Sequence, residues 1–402
     1  MDPMDLLTNA IQPYAWGSRT AIAALQGRAP TDQAEAELWM GAHPLAPSRV
    51  NRGGWATLVE TIDADPQAEL GPAVVDAFGP RLPYLLKVLA ADKALSLQVH
   101  PTPEQARAGF DAEDARGLPR DAPDRNYRDP YSKPELVVAL TPFTGLCGFR
   151  AAGELAALLE ELAVPSLKEY AAGLARSPDE SALRALLSGL LRWPQADRAA
   201  LVAEVAGRCA LLRTTGSPYA ASFDWAARVA VDYPDDTGVA VVLMLNLVQL
   251  APGEAVFLKP RTLHAYLEGT GVEIMAGSDN VLRGGLTPKH IDVDELLGLL
   301  DFGNGPLPPT PTTDLSGDER AWLTPTPEFR LSEVALRAGH PVELGGGAPQ
   351  ILLCTHGATH LDDGTSALDI ASGDSVFVPA SSAVLRASTT TGATLFRAVP
   401  GL

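Results

Sequence analysis

Residues 251–267 read APGEAVFLKPRTLHAYL, and residues 371–387 read ASGDSVFVPASSAVLRA. In each, a glycine and an acid precede a small residue, Val-Phe and an aliphatic residue, with a proline shortly after. The Gly-acid pair marks a turn, and the branched and aromatic residues behind it mark a strand. Two copies of one β-unit in one chain predict two jelly-roll-like barrels. The copies differ at one informative place. The first carries His264; the second carries Ala383 or Val384, depending on a one-residue gap. Whatever His264 binds, the second barrel should not bind.

Working outward, residues 320–402 read as short strands and turns, a small all-β domain. The stretch DFGNGPLPPTPTTD, residues 301–314, is proline-rich without apolar periodicity, so 301–319 is predicted to be a linker. Residues 1–149 read as strands and loops with a helix near GWATLVETI; with 236–300 they form the first barrel. Between them, 150–235 changes character. Leu155, Leu158, Leu159 and Leu162, and then Leu183, Leu186, Leu187 and Leu190, repeat at helical spacing. Ser177-Pro178 is the expected start of the second of these helices, and the β pattern is expected to resume at Gly238. Asp292 should cap a further helix with Glu295 at its third position. The predicted fold is mainly β, two jelly rolls with an inserted helical domain.

The composition, 46% hydrophobic and 20% charged over 402 residues, is that of a soluble globular protein. A net charge of −18 argues against nucleic acid or anionic membrane as partners. An anionic ligand would need lysines and arginines gathered locally against that field. Three scattered cysteines, Cys147, Cys209 and Cys354, suit a reducing cytoplasm. No signal peptide is read at the N-terminus, and the apolar run 239–250 is too short to span a bilayer.

The chemistry gathers in a few segments. In ALSLQVHP, residues 94–101, Leu95, Leu97 and Val99 alternate with Ser96, Gln98 and His100. Gln98 and His100 therefore share one strand face. Taken alone, a solvated sheet face explains them better. YSKPELVVAL, residues 131–140, sets Lys133 and Glu135 on one face before an aliphatic strand. The segment 261–290 packs His264, Tyr266, Glu273, Asp279, Arg283 and Lys289 into an apolar strand pattern. Gln98, His100, Glu135 and His264 together offer two imidazoles, a carboxylate and an amide oxygen, which suit a divalent first-row metal, most often Zn²⁺. His356 and His360, four apart in CTHGATHLDDG, lie in a strand-and-turn pattern and are given no metal role. Trp16 and Trp39 read as core more than as a sugar-stacking wall.

These segments, with YAWGSR, AELWMGAHPLAPS and PGEAVFLKPRTLHAYL, resemble the signature blocks of type I phosphomannose isomerases over about residues 5–300, and more weakly beyond. The resemblance implies a cupin-like jelly roll with a helical insertion and a second, degenerate jelly roll. It implies an aldose–ketose isomerase that interconverts mannose 6-phosphate and fructose 6-phosphate through an enediol, with one Zn²⁺ per chain. Gln98, His100, Glu135 and His264 fall on the family's zinc ligands, and Arg283 falls on its active-site arginine. Lys87, Ser96, Lys133, Tyr266, Glu273, Asp279 and Lys289 fall on pocket positions. Lys87, Lys133 and Lys289 would supply the positive charge a sugar phosphate needs. Glu273 is the first candidate for the base, against a structural acid paired with Arg283. Two departures stand out. Ser132 replaces a histidine common in the family, which puts a proton-shuttle role there in doubt, and Leu263 replaces a proline. Competing readings are a cupin iron oxygenase and a non-catalytic, metal-containing sugar-binding protein. The expected partner is a small sugar phosphate, and the expected assembly a monomer or weak homo-oligomer.

Overall fold

The computed structural model describes residues 4–303, 305, 307–382 and 384–402. Ala383 lies outside the described residues; Val384 opens the strand Val384–Ser388.

The repeated hairpin is the same object twice. Gly253 and Gly373 have φ values of 87° and 88°, a region that glycine enters without a Cβ clash. Glu254 and Asp374 each turn a carboxylate back onto the backbone N–H three residues earlier, at 2.8 and 2.9 Å. Gly253 N–H donates to the Ala139 carbonyl and Gly373 N–H to the Cys354 carbonyl, both at 2.8 Å.

Each hairpin belongs to its own antiparallel sheet. The first sheet runs, in spatial order, Leu245–Leu250, Phe143–Phe149, His264–Ala276, Tyr84–Ala91, Glu37–Met40 and Ala10–Gln12. Glu135–Ala139, Ala255–Leu258, Leu97–Val99 and Leu282–Gly285 branch from this path. The second sheet is built on Gln350–Asp362 and Ala393–Val399. Its edge is Asp5–Leu6, paired with Val376–Phe377, so the chain's beginning completes the second sheet although the sequence places residues 1–149 with the first.

One long strand organises each sheet. His264–Ala276 pairs with four others, and its register shifts between Tyr266 and Glu268, ahead of Gly269 at φ 125°. Gln350–Asp362 does the same, with a shift between Cys354 and His356 and Gly357 at φ 77°. The extra residue bends the strand so that it serves both walls of a barrel. It also resets the alternation. His264 and Tyr266 point inward before the bulge, and Glu273 and Met275 point inward after it. The outward residues pack elsewhere: Ala265 and Leu267 against the helices, Val272 and Ile274 against the second barrel.

The helices Ala152–Leu162, Lys168–Arg176, Glu180–Leu191, Arg198–Leu212 and Ala220–Asp232 bury the two leucine stripes against Leu97, Val99, Leu146 and Phe149. Leu97 and Val99 thus back the site with helix. Leu95 departs from the expected alternation, because the strand starts only at Leu97; it packs with Tyr266 and Phe143.

Four local readings change. Asp179, not Ser177, caps Glu180–Leu191, accepting from Ala182 N–H, and Ser177 donates its hydroxyl to Asp179. Gly238–Met244 is a fully buried helix rather than strand, since burial on all sides removes the period that separates the two. The expected linker contains the strand Thr312–Ser316. Pro103–Ala115 is a helix with a Thr102–Gln105 capping box, in a region read as strand and loop. Asp292 does cap Val293–Leu299 through Glu295 N–H.

Candidate metal centre and active site

The long strand brings distant segments together. His264 is in register with Gln98 on one side and Cys147 on the other, and Met275 is in register with Glu135. His100 Nε2 lies 3.4 Å from Glu135 Oε1, and His264 Nε2 lies 3.4 Å from Glu135 Oε2. The three residues are buried, and their ligand atoms lie within 4.8 Å of one another.

Both imidazoles are fixed by their other nitrogen. His100 Nδ1–H donates to the Asn280 carbonyl at 2.7 Å, and His264 Nδ1–H to the Thr262 carbonyl at 2.9 Å. That tautomer turns each Nε2 lone pair toward Glu135. Neither buried Nε2 has a hydrogen-bond partner among the described residues. Buried polar atoms are seldom left so. A cation between them satisfies both and shields the carboxylate. Burial also pushes the His100 imidazole down to about 4, so it stays neutral and able to ligate. Burial alone would push the Glu135 carboxyl up. Lys133, with its Nζ 2.8 Å away, and the imidazoles outweigh it and hold Glu135 well below the usual carboxylate range. Gln98 is half-buried, and its register with His264 sends its amide off the same face.

A second cluster lies along the same wall. Lys87 is in register with Glu273 and with Trp39. Its Nζ is 3.3 Å from Glu273 and 3.6 Å from Glu37, and Trp39 Nε1–H holds Glu37 at 2.6 Å. Burial raises the Glu273 carboxyl, with Glu135 and Glu37 adding to the rise and Lys87 opposing it. Glu273 therefore pairs with Lys87, not with Arg283. Tyr266 is buried with its hydroxyl unpartnered among the described residues, its ring 6.2 Å from that of His264. Asp279 accepts from His43, Nε2 to Oδ1 at 3.3 Å. Arg283 is half-buried and in register with Gln98, Lys289 is exposed, and Ser96 is half-buried ahead of its strand. Ser132 spends its hydroxyl proton on the Pro101 carbonyl at 2.8 Å. Trp39 is buried, while Trp16 stacks on Tyr14 at 5.8 Å.

Residues 4–152 match the family described as phosphomannose isomerase type I, catalytic domain. The mannose-6-phosphate isomerase of Salmonella typhimurium is 40% identical over 394 residues, covering 96% of this chain and 97% of that protein. The rat enzyme of the same name is 35% identical over 364 residues, covering 82% and 81%. The chain belongs to the mannose-6-phosphate isomerase family. A crystal structure of such an isomerase bound with zinc and yttrium superposes with a TM-score of 0.90 at 38% identity, covering 99% of this chain and 100% of that one. The Salmonella typhimurium isomerase bound to fructose 6-phosphate and zinc matches equally well, with a TM-score of 0.90. No helix among the described residues is long and apolar enough to cross a membrane.

Reading the sequence missed Glu37 and Asn280. Glu37 shares a face with Trp39 in the buried strand ELWM, and an acid inside an apolar strand was the available signal. Asn280 is fully buried and receives His100 through its carbonyl while its side chain binds the backbone of Arg128, Asp129 and Tyr131. Nothing in a single sequence marks that brace.

Proposed function

We propose that this chain is a metal-dependent mannose-6-phosphate isomerase that holds one Zn²⁺ with His100, Glu135, His264 and the Gln98 amide. The observation that carries the reading is the pair of unpartnered, pre-oriented Nε2 atoms facing one buried carboxylate. When bound, the metal polarises the substrate's oxygens as a Lewis acid.

The remaining chemistry belongs to the chain's own side chains. Glu273 takes the proton from C2 of the open-chain aldose and returns it to C1, while the O2 hydroxyl proton passes to O1, so that C1 becomes a hydroxymethyl group and C2 a ketone. Its raised affinity for a proton suits that task better than an ordinary surface carboxylate. Lys87, 3.3 Å away, fixes its orientation. Lys133 keeps Glu135 ionised. Arg283 donates hydrogen bonds to the oxyanion that develops in the enediolate. Ser132 takes no part, because its proton is committed to Pro101. No observation favours the non-catalytic reading.

The test is turnover of mannose 6-phosphate to fructose 6-phosphate by the zinc-loaded protein, before and after chelation, with Arg283→Ala alongside. Turnover that disappears with the metal and returns on its addition is expected. Arg283→Ala should keep its zinc and lose about 10²–10³ in kcat. A zinc-loaded protein without turnover overturns the reading.

A further inference from the structure

A sugar phosphate brings about two negative charges, and the first question is which cations are free to meet them. Two of the expected three are not. Lys87 faces Glu37 and Glu273, and Lys133 faces Glu135. In that buried group three carboxylates outnumber two ammonium groups, so neither ammonium is free to meet a ligand's charge.

Three other cations are differently placed. Arg283, Lys289 and Arg128 make no ion pair among the described residues. Arg283 sits half-buried beside Gln98. Arg128 is exposed, and its backbone N–H is pinned to the buried Asn280 side chain at 2.7 Å, three residues before Arg283 in the chain. The same Asn280 receives His100. The segment carrying Arg128 is thus tied to the residue that orients a metal ligand. The three cations feel one another: burial first, then the charge of Arg128, depresses Arg283, and burial, Arg283 and Arg128 depress Lys289. Burial would raise the Asp279 carboxyl, but His43, then Lys133 and Arg128, hold it below its usual value, so one carboxylate already faces Arg128. Three cations beside Asp279 leave a net positive charge at the edge of the metal centre, which an anion can complete.

We propose that Arg128 is a phosphate-binding residue. It closes, with Lys289 and beside Arg283, a cationic pocket for the substrate's phosphate at the mouth of the site. This rests on the isomerase reading above and changes its charge assignment: Lys87 and Lys133 serve the buried carboxylates, Arg283 keeps its place at the developing oxyanion, and Arg128 and Lys289 serve the phosphate. A planar guanidinium suits the role because it presents paired N–H donors to phosphate oxygens.

The experiment is steady-state kinetics of the zinc-loaded enzyme with Arg128→Gln and Arg128→Lys, with inorganic phosphate as a competitive inhibitor. Arg120→Gln serves as the control, removing an exposed cation of the same segment that is already paired with Asp114. Arg128→Gln should raise both the KM for mannose 6-phosphate and the inhibition constant for phosphate by about tenfold, the scale of one charge-assisted hydrogen bond, with kcat within about twofold. Arg128→Lys should recover most of the loss, and Arg120→Gln should change neither constant. Unchanged KM and phosphate inhibition in Arg128→Gln overturn the proposal, as does a fall in kcat at constant KM. The isomerase reading fails separately, by absence of wild-type turnover. In that event calorimetric titration of inorganic phosphate still decides the pocket: weaker binding to Arg128→Gln than to wild type supports it, and equal binding overturns it.

Discussion

At the scale of single residues, the site separates groups that look alike in the sequence. Glu135 and Glu273 are both buried carboxylates, yet one is held ionised by Lys133 and the imidazoles while the other is raised. The raised one is the proposed base, and that assignment fixes the sign of its pH dependence. Glu273 works ionised and is protonated as the pH falls through its raised value. The acidic limb of kcat/KM should therefore lie above the ordinary carboxylate range, and a limb at or below that range would contradict the assignment. Glu273→Gln should lower kcat by about 10²–10⁴ while zinc content stays at the wild-type level. Ser132→Ala should leave the shape of the pH profile unchanged, since that hydroxyl only holds Pro101; a lost limb would return Ser132 to the mechanism. His100 was legible only when set beside Glu135 and His264, because its two-residue spacing from Gln98 alone fits a solvated face better. Glu37 was not, because its partner Lys87 lies on another strand and only pairing shows that the acid has a counter-ion.

At the scale of elements, the repeated hairpin was the most legible feature, because positive φ demands glycine and the returning acid demands a carboxylate at one spacing. The two glycines nevertheless differ in what surrounds them. A Cβ on Gly253 would meet the end of the Arg320 side chain at 3.1 Å, which can move. A Cβ on Gly373 would meet the Gln26 backbone at 2.7 Å and the Leu25 carbonyl at 3.0 Å, which cannot move without shifting Ala21–Leu25. Gly253→Ala should cost about 1–2 kcal/mol, the strain of a left-handed alanine. Gly373→Ala should cost more, and denaturant unfolding of the two variants measures the order. The reverse order would mean that the hairpin, not its neighbour, sets the cost. The bulge at Tyr266 was invisible, because alternation read through His264–Ala276 puts His264 and Glu273 on opposite faces. Only the register shift returns both to the interior.

At the scale of the whole molecule, the barrels share a core. Leu86, Val88, Val272 and Ile274 of the first pack with Phe329, Ile351, Leu353 and Phe377 of the second, and Tyr84 donates its hydroxyl to the Ala398 carbonyl at 3.0 Å. With Asp5–Leu6 crossing between the sheets, heat should unfold the described structure in one calorimetric transition, and two separated transitions would contradict the shared core. The internal repeat revealed two barrels, but how they pack was not legible, since every residue of Tyr84–Ala91 is buried and apolar residues line both of its faces. The account's central claim, one metal held by imidazole and carboxylate, is tested most directly by X-ray absorption at the zinc edge of the loaded protein. Cys147 makes this a sharp test, because it stands in register with His264, and its buried thiol is pushed up to about 12. The prediction is one zinc per chain with only nitrogen and oxygen neighbours at about 2.0–2.2 Å and the outer-shell signature of two imidazoles. A sulfur neighbour at about 2.3 Å, or a shell without imidazole, would contradict it.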